Sequence, residues 1–381
     1  MRTIACSAIV VALAAAAGPP DSPSLARPAP ITAEAFSACF DAQARTVPFS
    51  GVALAQRGDQ SLFRAAGYAD ADSKVPISQH SRFRLASVQK VVTRVAIGLL
   101  VEQGRVDLGA PIGRYLPGLP AQFAAITAEQ LLQHRSGVAP FTNLRKVPPE
   151  VRAAYFEAKT ARARLTAIAS QPLSFAPGTA EEYSNAGYEV LGALIEAVSG
   201  RDYGAFVEEA LYRPLEMGST DLVPDAGTAV RFTRMGPDGN ALAQRTAAVD
   251  REERRGSAAG DGVSSADDLA KLGKALLGDR LLSPEVKARL FPRRGDVWRI
   301  GQSGGSIGAN TDFSAYPESG WVVTVLSNYD PPTGELMGEV LRTYVLGKGC
   351  RPLSENDRPS PMRRLAAPGP NPGAANPPRI R

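Results

Sequence analysis

The sequence has 381 residues, of which 44% are hydrophobic and 21% charged, proportions ordinary for one large or two smaller globular domains. The net charge is +5, but residues 351–381 carry +4 and residues 1–26 are neutral, which leaves +1 for residues 27–350. This nearly neutral body excludes the basic surface of a nucleic-acid-binding protein. Two histidines and three cysteines are too few for a typical catalytic metal site, so we expect neither a metal nor another cofactor.

The two ends of the chain differ in composition from the rest. Residues 1–26 begin with Arg2 and continue with an uncharged Ala- and Val-rich run that is too short to span a bilayer. This pattern predicts a cleaved export signal, and hence a periplasmic or secreted protein with no transmembrane segment in the mature chain. The folded domain is then expected at 27–350, followed by a disordered Pro- and Arg-rich tail at 351–381.

Two cysteines, Cys39 and Cys350, remain after removal of such a signal. One lies in the first predicted helix and the other just after the last, so a disulfide requires these helices to be neighbours. The alternative is a pair of unlinked thiols, and the sequence leaves both open.

Hydrophobic periodicity predicts the following elements in chain order. Helices are predicted over 32–45, from Ser87 to Gly104, from Thr127 to near Gly137, over 151–169, 184–199 and 265–277, from Ser283, and over 334–346. Strands are predicted over 50–56, 61–66, 298–301, 311–316 and 321–327, the last apolar enough to be central. The Gly-, Asp- and Arg-rich composition of residues 224–262 predicts a long loop at the rim of a site.

This order of elements predicts how the domain is divided. A sheet with helices on one face has to combine both ends of the chain, so residues 27–85 and 280–350 are expected to form an α/β lobe. Residues 86–279 would form a mainly helical lobe. Ser87 lies where the first sheet segment passes into the helical part, a position that predicts a cleft.

Ser87 and Lys90 are three residues apart at the start of an apolar helix and therefore lie on one face. A serine hydroxyl is a poor nucleophile until a base takes its proton, and a lysine kept neutral by desolvation can do so. The same pattern fits an N-cap serine followed by a surface lysine.

Tyr183 and Asn185 lie at the start of the clearest predicted helix. A phenol near a cation can act as a base, and the amide can hold the lysine or a substrate carbonyl. The alternative is aromatic packing beside a helix cap. His134, in the last turn of the Thr127 helix, is interpreted as structural support for the site.

A glycine-rich stretch at residues 301–306 (GQSGGS) lies at a strand edge. Glycine lets backbone approach a ligand, so a backbone N–H here and that of Ser87 can form an oxyanion hole; the alternative is a bulge or tight turn. The stretch also matches Gly-x-Ser-x-Gly, but this nucleophile elbow needs a later histidine, and both histidines precede Ser303.

The pair Ser87 and Lys90, the pair Tyr183 and Asn185 and the glycine-rich stretch follow one another in this order. Together they indicate a protein family more specifically than any one of them does alone. From about residue 50 to 346, the sequence resembles the serine β-lactamase and penicillin-binding-protein superfamily. It is most similar to the branch of class C β-lactamases, D-aminopeptidase-like enzymes and related esterases. Further resemblance lies at residues 131–137 (LLQHRSG), 176–178 (APG) and 262–269 (GVSSADDL).

The resemblance implies an α/β (α+β) fold, with an antiparallel sheet flanked by N- and C-terminal helices, a mainly helical lobe and the site between them. It implies that Ser87 is the acylated nucleophile and that Lys90 and Tyr183 share proton transfer. Asn185 would orient Lys90 and the substrate. The backbone N–H groups of Ser87 and Gly305 would bind the oxyanion.

The glycine-rich motif departs from the family pattern at its first position, where Lys or His is usual and Gln302 stands here. The expected substrate-binding positions are Gln302, Ser303, Gly304 and Gly305, together with Asn185. A neutral amide does not supply the charge that fixes a substrate carboxylate. We therefore expect weaker recognition of β-lactams and peptide C-termini, and more room for esters or amides that lack a carboxylate.

The sequence thus predicts an exported serine hydrolase that forms an acyl-enzyme with small ester, amide or peptide substrates. An esterase or peptidase is favoured over an efficient β-lactamase. The alternative is a catalytically weak penicillin-recognition homologue that binds peptidoglycan-like ligands. No nucleic-acid partner is expected, and the sequence leaves the oligomeric state open.

Overall fold

The computed structural model describes residues 31–140, 147–236, 241–248 and 256–357. The predicted export signal and residues 358–381 of the predicted tail lie outside these ranges. The helices are α1 (Ala33–Thr46), α2 (Gln89–Glu102), α3 (Ala121–Ala124), α4 (Ala128–Leu132), α5 (Pro149–Glu157), α6 (Ala161–Ala169), α7 (Asn185–Ser199), α8 (Tyr203–Val207), α9 (Ala266–Leu277), α10 (Pro284–Leu290) and α11 (Thr333–Val345). The strands are β1 (Gly51–Arg57), β2 (Gln60–Ala66), β3 (Tyr68–Asp70), β4 (Val75–Pro76), β5 (Phe83–Arg84), β6 (Phe232–Met235), β7 (Ala241–Ala247), β8 (Val263–Ser264), β9 (Ile300–Ser306), β10 (Ala309–Tyr316) and β11 (Trp321–Ser327).

A five-stranded antiparallel sheet joins the two ends of the described chain, in the order β2–β1–β11–β10–β9. Strand β1 pairs with β11, so that Val52 lies opposite Leu326. Every residue of β11 is buried, as its continuous apolar sequence predicts for a central strand. Both the combination of the two ends and the central place of this strand are confirmed.

Helices cover both faces of this sheet. Alternate residues of β11, among them Val323 and Val325, enter a core shared with α1 and α11. Val322 and Leu326 face the opposite way, into the larger core that contains α9. Helix α9 packs so closely that a Cβ on Gly273 would lie 2.4 Å from Val322 Cγ1. The expectation of helices on one face only was therefore wrong, because α9 returns from the helical part to cover the second face.

The terminal helices α1 and α11 are neighbours and are linked covalently. Cys39 on α1 and Cys350, just after α11, form a disulfide with a Cα–Cα distance of 5.7 Å. Of the two alternatives that the sequence left open, the structure has the bridge.

Helix α7 is the central helix of the middle segment, with residues 186–196 all buried. Ser184 caps it by accepting a hydrogen bond from the Gly187 N–H, and Gly200 ends it with φ 75°. The predicted capping box at Thr127 also opens α4. The division of residues 27–350 into two lobes remains a prediction.

Four predicted segments differ from the structure. The helix from Thr127 ends at Leu132 and not near Gly137, so His134, with φ 58°, lies beyond its last turn. The helix over 151–169 is two helices, α5 and α6, because Thr160 starts a new one by capping the Ala163 N–H. The segment 224–262, predicted to be a loop, contains the paired strands β6 and β7. Their sequences mix polar and apolar residues without the regular alternation by which a strand is recognised in a sequence. Strand β9 continues past 301 to Ser306, because pairing with β10 holds the glycines in the sheet.

Candidate active site

Ser87 lies in a single 3₁₀ turn, Ala86–Val88, that leads into α2. The residue before it, Ala86, has φ 45°, a left-handed conformation that costs a non-glycine residue about 1 kcal/mol or more. The turn is held by two backbone bonds, Val88 N–H to Leu85 O (3.0 Å) and Asp261 N–H to Ala86 O (3.2 Å). Ser87 is thus presented by a strained turn that its neighbours keep in place.

Lys90 is fully buried, and its Nζ reaches three oxygen atoms. These are Ser87 Oγ at 3.1 Å, Asn185 Oδ1 at 2.8 Å and the backbone carbonyl of Ala259. A buried charge is tolerated only when it is hydrogen-bonded, and three acceptors match the three N–H groups of an ammonium. Sequence reasoning missed Ala259, because a carbonyl has no side-chain signature; the only signal was the expectation that residues 224–262 line the site.

The Tyr183 hydroxyl lies 2.7 Å from Ser87 Oγ, the atom that Lys90 Nζ also contacts. The face of the Tyr183 ring is turned toward Lys90, with Nζ 5.0 Å from the ring centroid. Tyr183 itself is 41% exposed, so the Ser87 hydroxyl is reached from the open side of the site. A buried amine and an accessible phenol therefore contact the same alcohol.

His134 supports the segment that carries Tyr183. Its ring lies 4.5 Å from the Tyr183 ring, centroid to centroid, and its Nδ1 accepts a hydrogen bond from the Ser184 N–H (3.2 Å). Burial, reinforced by nearby cations, lowers the pKa of His134 to about 3. The imidazole is therefore neutral near pH 7, which agrees with a supporting role.

Strand β9 approaches Ser87 through Gly304. A Cβ on this buried residue would lie 2.7 Å from both Ser87 N and Leu85 O, so only glycine fits there. The contact is reinforced by the Thr311 hydroxyl, which donates to Leu85 O at 2.8 Å. The backbone of β9 therefore lies against the backbone of the Ser87 turn.

Gln302 and Ser303 lie on opposite faces of β9. Gln302 shares the face of Gly304, and its Nε2 donates to the Ser303 carbonyl at 3.1 Å. The Ser303 hydroxyl donates instead to the Asp312 carboxylate at 2.7 Å, on the side of α11. The structure thus brings Ser87, Lys90, Tyr183, Asn185 and the glycines together, and directs the Ser303 side chain away from Ser87.

Asp312 is the centre of a buried charge cluster behind β9. It forms ion pairs with Arg299, at 2.9 Å, and with Arg342 of α11. Burial would raise the pKa of Asp312, but Arg342 and Arg299 outweigh it and hold the pKa below the usual range. The cluster therefore fixes the back of β9 to the C-terminal helix.

No group of three His, Cys, Asp or Glu side chains in the described ranges is placed to hold a metal ion. No helix in the same ranges combines the length and apolarity that crossing a bilayer requires.

The Beta-lactamase family model matches residues 36–343. "Esterase EstB" of Burkholderia gladioli is 34% identical over 194 residues, which cover 48% of this chain and 49% of the relative. "Penicillin-binding protein 4*" of Bacillus subtilis (strain 168) is 31% identical over 182 residues, covering 45% and 38%. The chain thus spans half or less of the length of these relatives.

Solved structures share the fold. The D-amino acid amidase from Ochrobactrum anthropi SV3, complexed with L-phenylalanine amide, has a TM-score of 0.69 at 24% identity, covering 83% of this chain and 97% of that one. A penicillin-binding protein from Bacillus halodurans has a TM-score of 0.66 at 24% identity, covering 77% and 95%. These likenesses confirm the predicted fold class, an antiparallel sheet with flanking helices. Because the family model spans most of the chain, the protein belongs to the beta-lactamase family.

Proposed function

We propose that this protein is a serine hydrolase that acts on ester or amide substrates through an acyl-enzyme at Ser87. One observation carries the proposal: Ser87 Oγ is within hydrogen-bond distance of both the Tyr183 hydroxyl, at 2.7 Å, and Lys90 Nζ, at 3.1 Å. Both groups are within reach for proton transfer, and nucleophile activation requires such a neighbour. The structural alternative, a surface lysine after an N-cap serine, does not account for a fully buried Lys90.

Proton transfer is shared between Lys90 and Tyr183 in this proposal. A neutral Lys90 accepts the Ser87 proton while it donates to Asn185 and Ala259. If Lys90 is instead an ammonium that donates to all three acceptors, the base is Tyr183 in its phenolate form, which takes the Ser87 proton and becomes the phenol. In either scheme Ser87 Oγ attacks the carbonyl carbon, the leaving alcohol or amine takes up the proton, and water then releases the acid.

The oxyanion hole is proposed at the backbone N–H groups of Ser87 and Gly305. The hairpin between β9 and β10 closes on the pair Ser306–Ala309, so ladder alternation makes Gly305–Asn310 a pair without mutual hydrogen bonds. The Gly305 N–H is then directed off the open edge of β9. The Gly304 contact holds this edge against the Ser87 backbone, where both N–H groups can meet one oxygen.

The substrate is proposed to be an ester or amide without a carboxylate next to the reacting bond. Gln302 supports this, because it is uncharged and lies on the Gly304 face of β9. Two proteins that this chain resembles act on such bonds, since one is an esterase and the other a D-amino acid amidase. Export to the periplasm or medium is likewise a proposal, supported by residues 1–26 and by the Cys39–Cys350 disulfide.

The proposal is tested by covalent labelling and peptide mapping. We expect a fluorophosphonate to modify the peptide that contains Ser87, and the Ser87→Ala variant to remain unlabelled. Ser303→Ala is the matched control, because Ser303 is the serine of the rejected nucleophile elbow, and it should still be labelled at Ser87. Labelling that persists in Ser87→Ala would refute the assignment.

A labelled penicillin tested alongside separates the enzyme from the alternative function. Rapid labelling by the fluorophosphonate with slow labelling by penicillin supports an esterase or amidase. Labelling by neither reagent, with binding to peptidoglycan fragments intact, identifies a penicillin-recognition homologue and overturns the enzymatic proposal.

A further inference from the structure

Besides Ser87 Oγ, Lys90 Nζ contacts two acceptors, and these come from different parts of the chain. Asn185 begins α7, whereas Ala259 belongs to the segment that precedes β8. Glu189 lies one helical turn after Asn185 and is only 1% exposed. It can therefore connect α7, and with it Asn185, to the segment that supplies the other acceptor.

Glu189 reaches this segment through Ser257. Its carboxylate accepts one hydrogen bond from the Ser257 hydroxyl and another from Arg164, which forms an ion pair at 3.1 Å. The Ser257 oxygen in turn accepts a hydrogen bond from the Ala259 N–H at 3.3 Å. The chain of contacts from Glu189 to the residue whose carbonyl contacts Lys90 is thus continuous.

A second contact fixes the same segment from the side of α2. The hydroxyl of Thr93, one turn after Lys90, donates to Ala258 O at 2.7 Å. Ser257 also closes a tight turn, with its N–H donating to Gly260 O at 2.7 Å. The carbonyl of Ala259 is therefore held by anchors on both helices that carry site residues.

We propose that Glu189 and Ser257 are positioning residues, which hold the Ala259 carbonyl on Lys90 and so fix Nζ relative to Ser87 Oγ. The inference rests on the proposed function, since it concerns the activation of Ser87. A shift of about 1 Å in a reacting group can cost about 100-fold in rate. The segment has to be anchored because a backbone carbonyl cannot be repositioned by a rotamer change.

Glu196 provides a matched control on the same helix. It is also a buried carboxylate, 6% exposed, but its partners are the Ala161 N–H at 3.0 Å, the Arg162 N–H at 2.8 Å and the Tyr203 N–H at 3.3 Å. These contacts fix the starts of α6 and α8. Glu196→Gln therefore removes a buried charge whose hydrogen-bond partners lie outside residues 257–259.

The test measures labelling of Ser87 by a fluorophosphonate in the full-length protein. The maximal labelling rate and the half-saturating concentration are determined separately, with thermal unfolding of each variant. We expect Ser257→Ala to lower the maximal rate at least tenfold with an unchanged half-saturating concentration, and Ser257→Thr, which keeps a hydroxyl, to restore it. Glu189→Gln should lower the rate severalfold, while Glu196→Gln stays within twofold of the original rate despite a lower melting temperature.

Two outcomes would overturn the inference. In the first, Ser257→Ala and Glu189→Gln are labelled at the original rate. In the second, Glu196→Gln loses as much rate as they do, which would assign the effect to general destabilisation. Failure of the proposed function looks different, because the unmutated protein would then escape labelling or Ser87→Ala would be labelled like it.

Discussion

The disulfide between Cys39 and Cys350 allows a quantitative prediction of stability. The two cysteines are 311 residues apart, so the bridge closes a loop that contains most of the described chain. In the chain-entropy model, a loop of this length lowers the entropy of the unfolded state enough to contribute about 6 kcal/mol at 25 °C. That is comparable to the whole stability of a typical domain. We expect the doubly substituted variant, Cys39→Ala with Cys350→Ala, to lose close to this amount.

The assay is equilibrium unfolding in guanidinium chloride, followed by circular dichroism. Removing the bridge lets the unfolded chain expand, so the dependence of the free energy of unfolding on denaturant should become steeper as the stability falls. The companion measurement unfolds the unmutated protein in the presence of a reducing agent. The reducing agent breaks the disulfide but leaves the side chains of the folded core unchanged. Peptide mapping without reduction establishes that the starting protein is bridged.

The change in the slope of the denaturant dependence is as informative as the change in the free energy of unfolding. A loss below about 2 kcal/mol with an unchanged slope would refute the entropic account. Cys39 is only 3% exposed, so its replacement by alanine also removes some packing in the core of α1 and α11. A large loss in the double variant, with none in the reduced protein, would therefore assign the effect to packing and not to the bridge.

Three further predictions concern the site. Gly304→Ala should reduce kcat about 100-fold or more while the protein stays folded, because the new Cβ forces β9 away from the Ser87 backbone and from the oxyanion; an unchanged kcat in an ester assay contradicts this. Gln302→Lys should raise the turnover of carboxylate-bearing substrates relative to neutral esters, and an unchanged ratio in a substrate panel counts against the role of this position. His134 has a folded-state pKa of about 3 against 6.5 as the reference value, so only the unfolded state gains its proton as the pH falls below 6.5. The contribution of His134 to the free energy of unfolding should be complete above pH 6.5 and about 2 kcal/mol smaller at pH 5. Urea unfolding of His134→Gln should lack this loss of stability between the two pH values. An equal pH dependence of stability in both proteins would refute the prediction.

The sequence predicts the parts of the site that have a side-chain signature. Ser87 with Lys90 and Tyr183 with Asn185 each combine an unusual residue pair with the start of a helix, and the structure brings the four together. The terminal helices and the central strand could likewise be predicted, because long apolar patterns determine which elements are buried. Here the local pattern and the tertiary contacts agree.

Other features have no such signature. The Ala259 carbonyl is backbone, and the left-handed conformation of Ala86 is imposed by its surroundings. Glu189 falls within the most apolar helix, where a single acid looks like an interruption unless its partner is known. The orientation of the Ser303 side chain depends on strand register, and a shift of one residue would reverse it.

The pairing of β1 with β11 has a consequence for the order in which the protein is synthesised. The β1–β2 hairpin is synthesised long before the strand that will lie beside it, because the paired residues Val52 and Leu326 are 274 residues apart in the chain. One edge of β1 has no strand partner in that interval, and contacts so distant in sequence form slowly. Ser87 and Gly304, whose backbones are in contact in the proposed site, are 217 residues apart, so the proposed activity of Ser87 has to await the synthesis of β9.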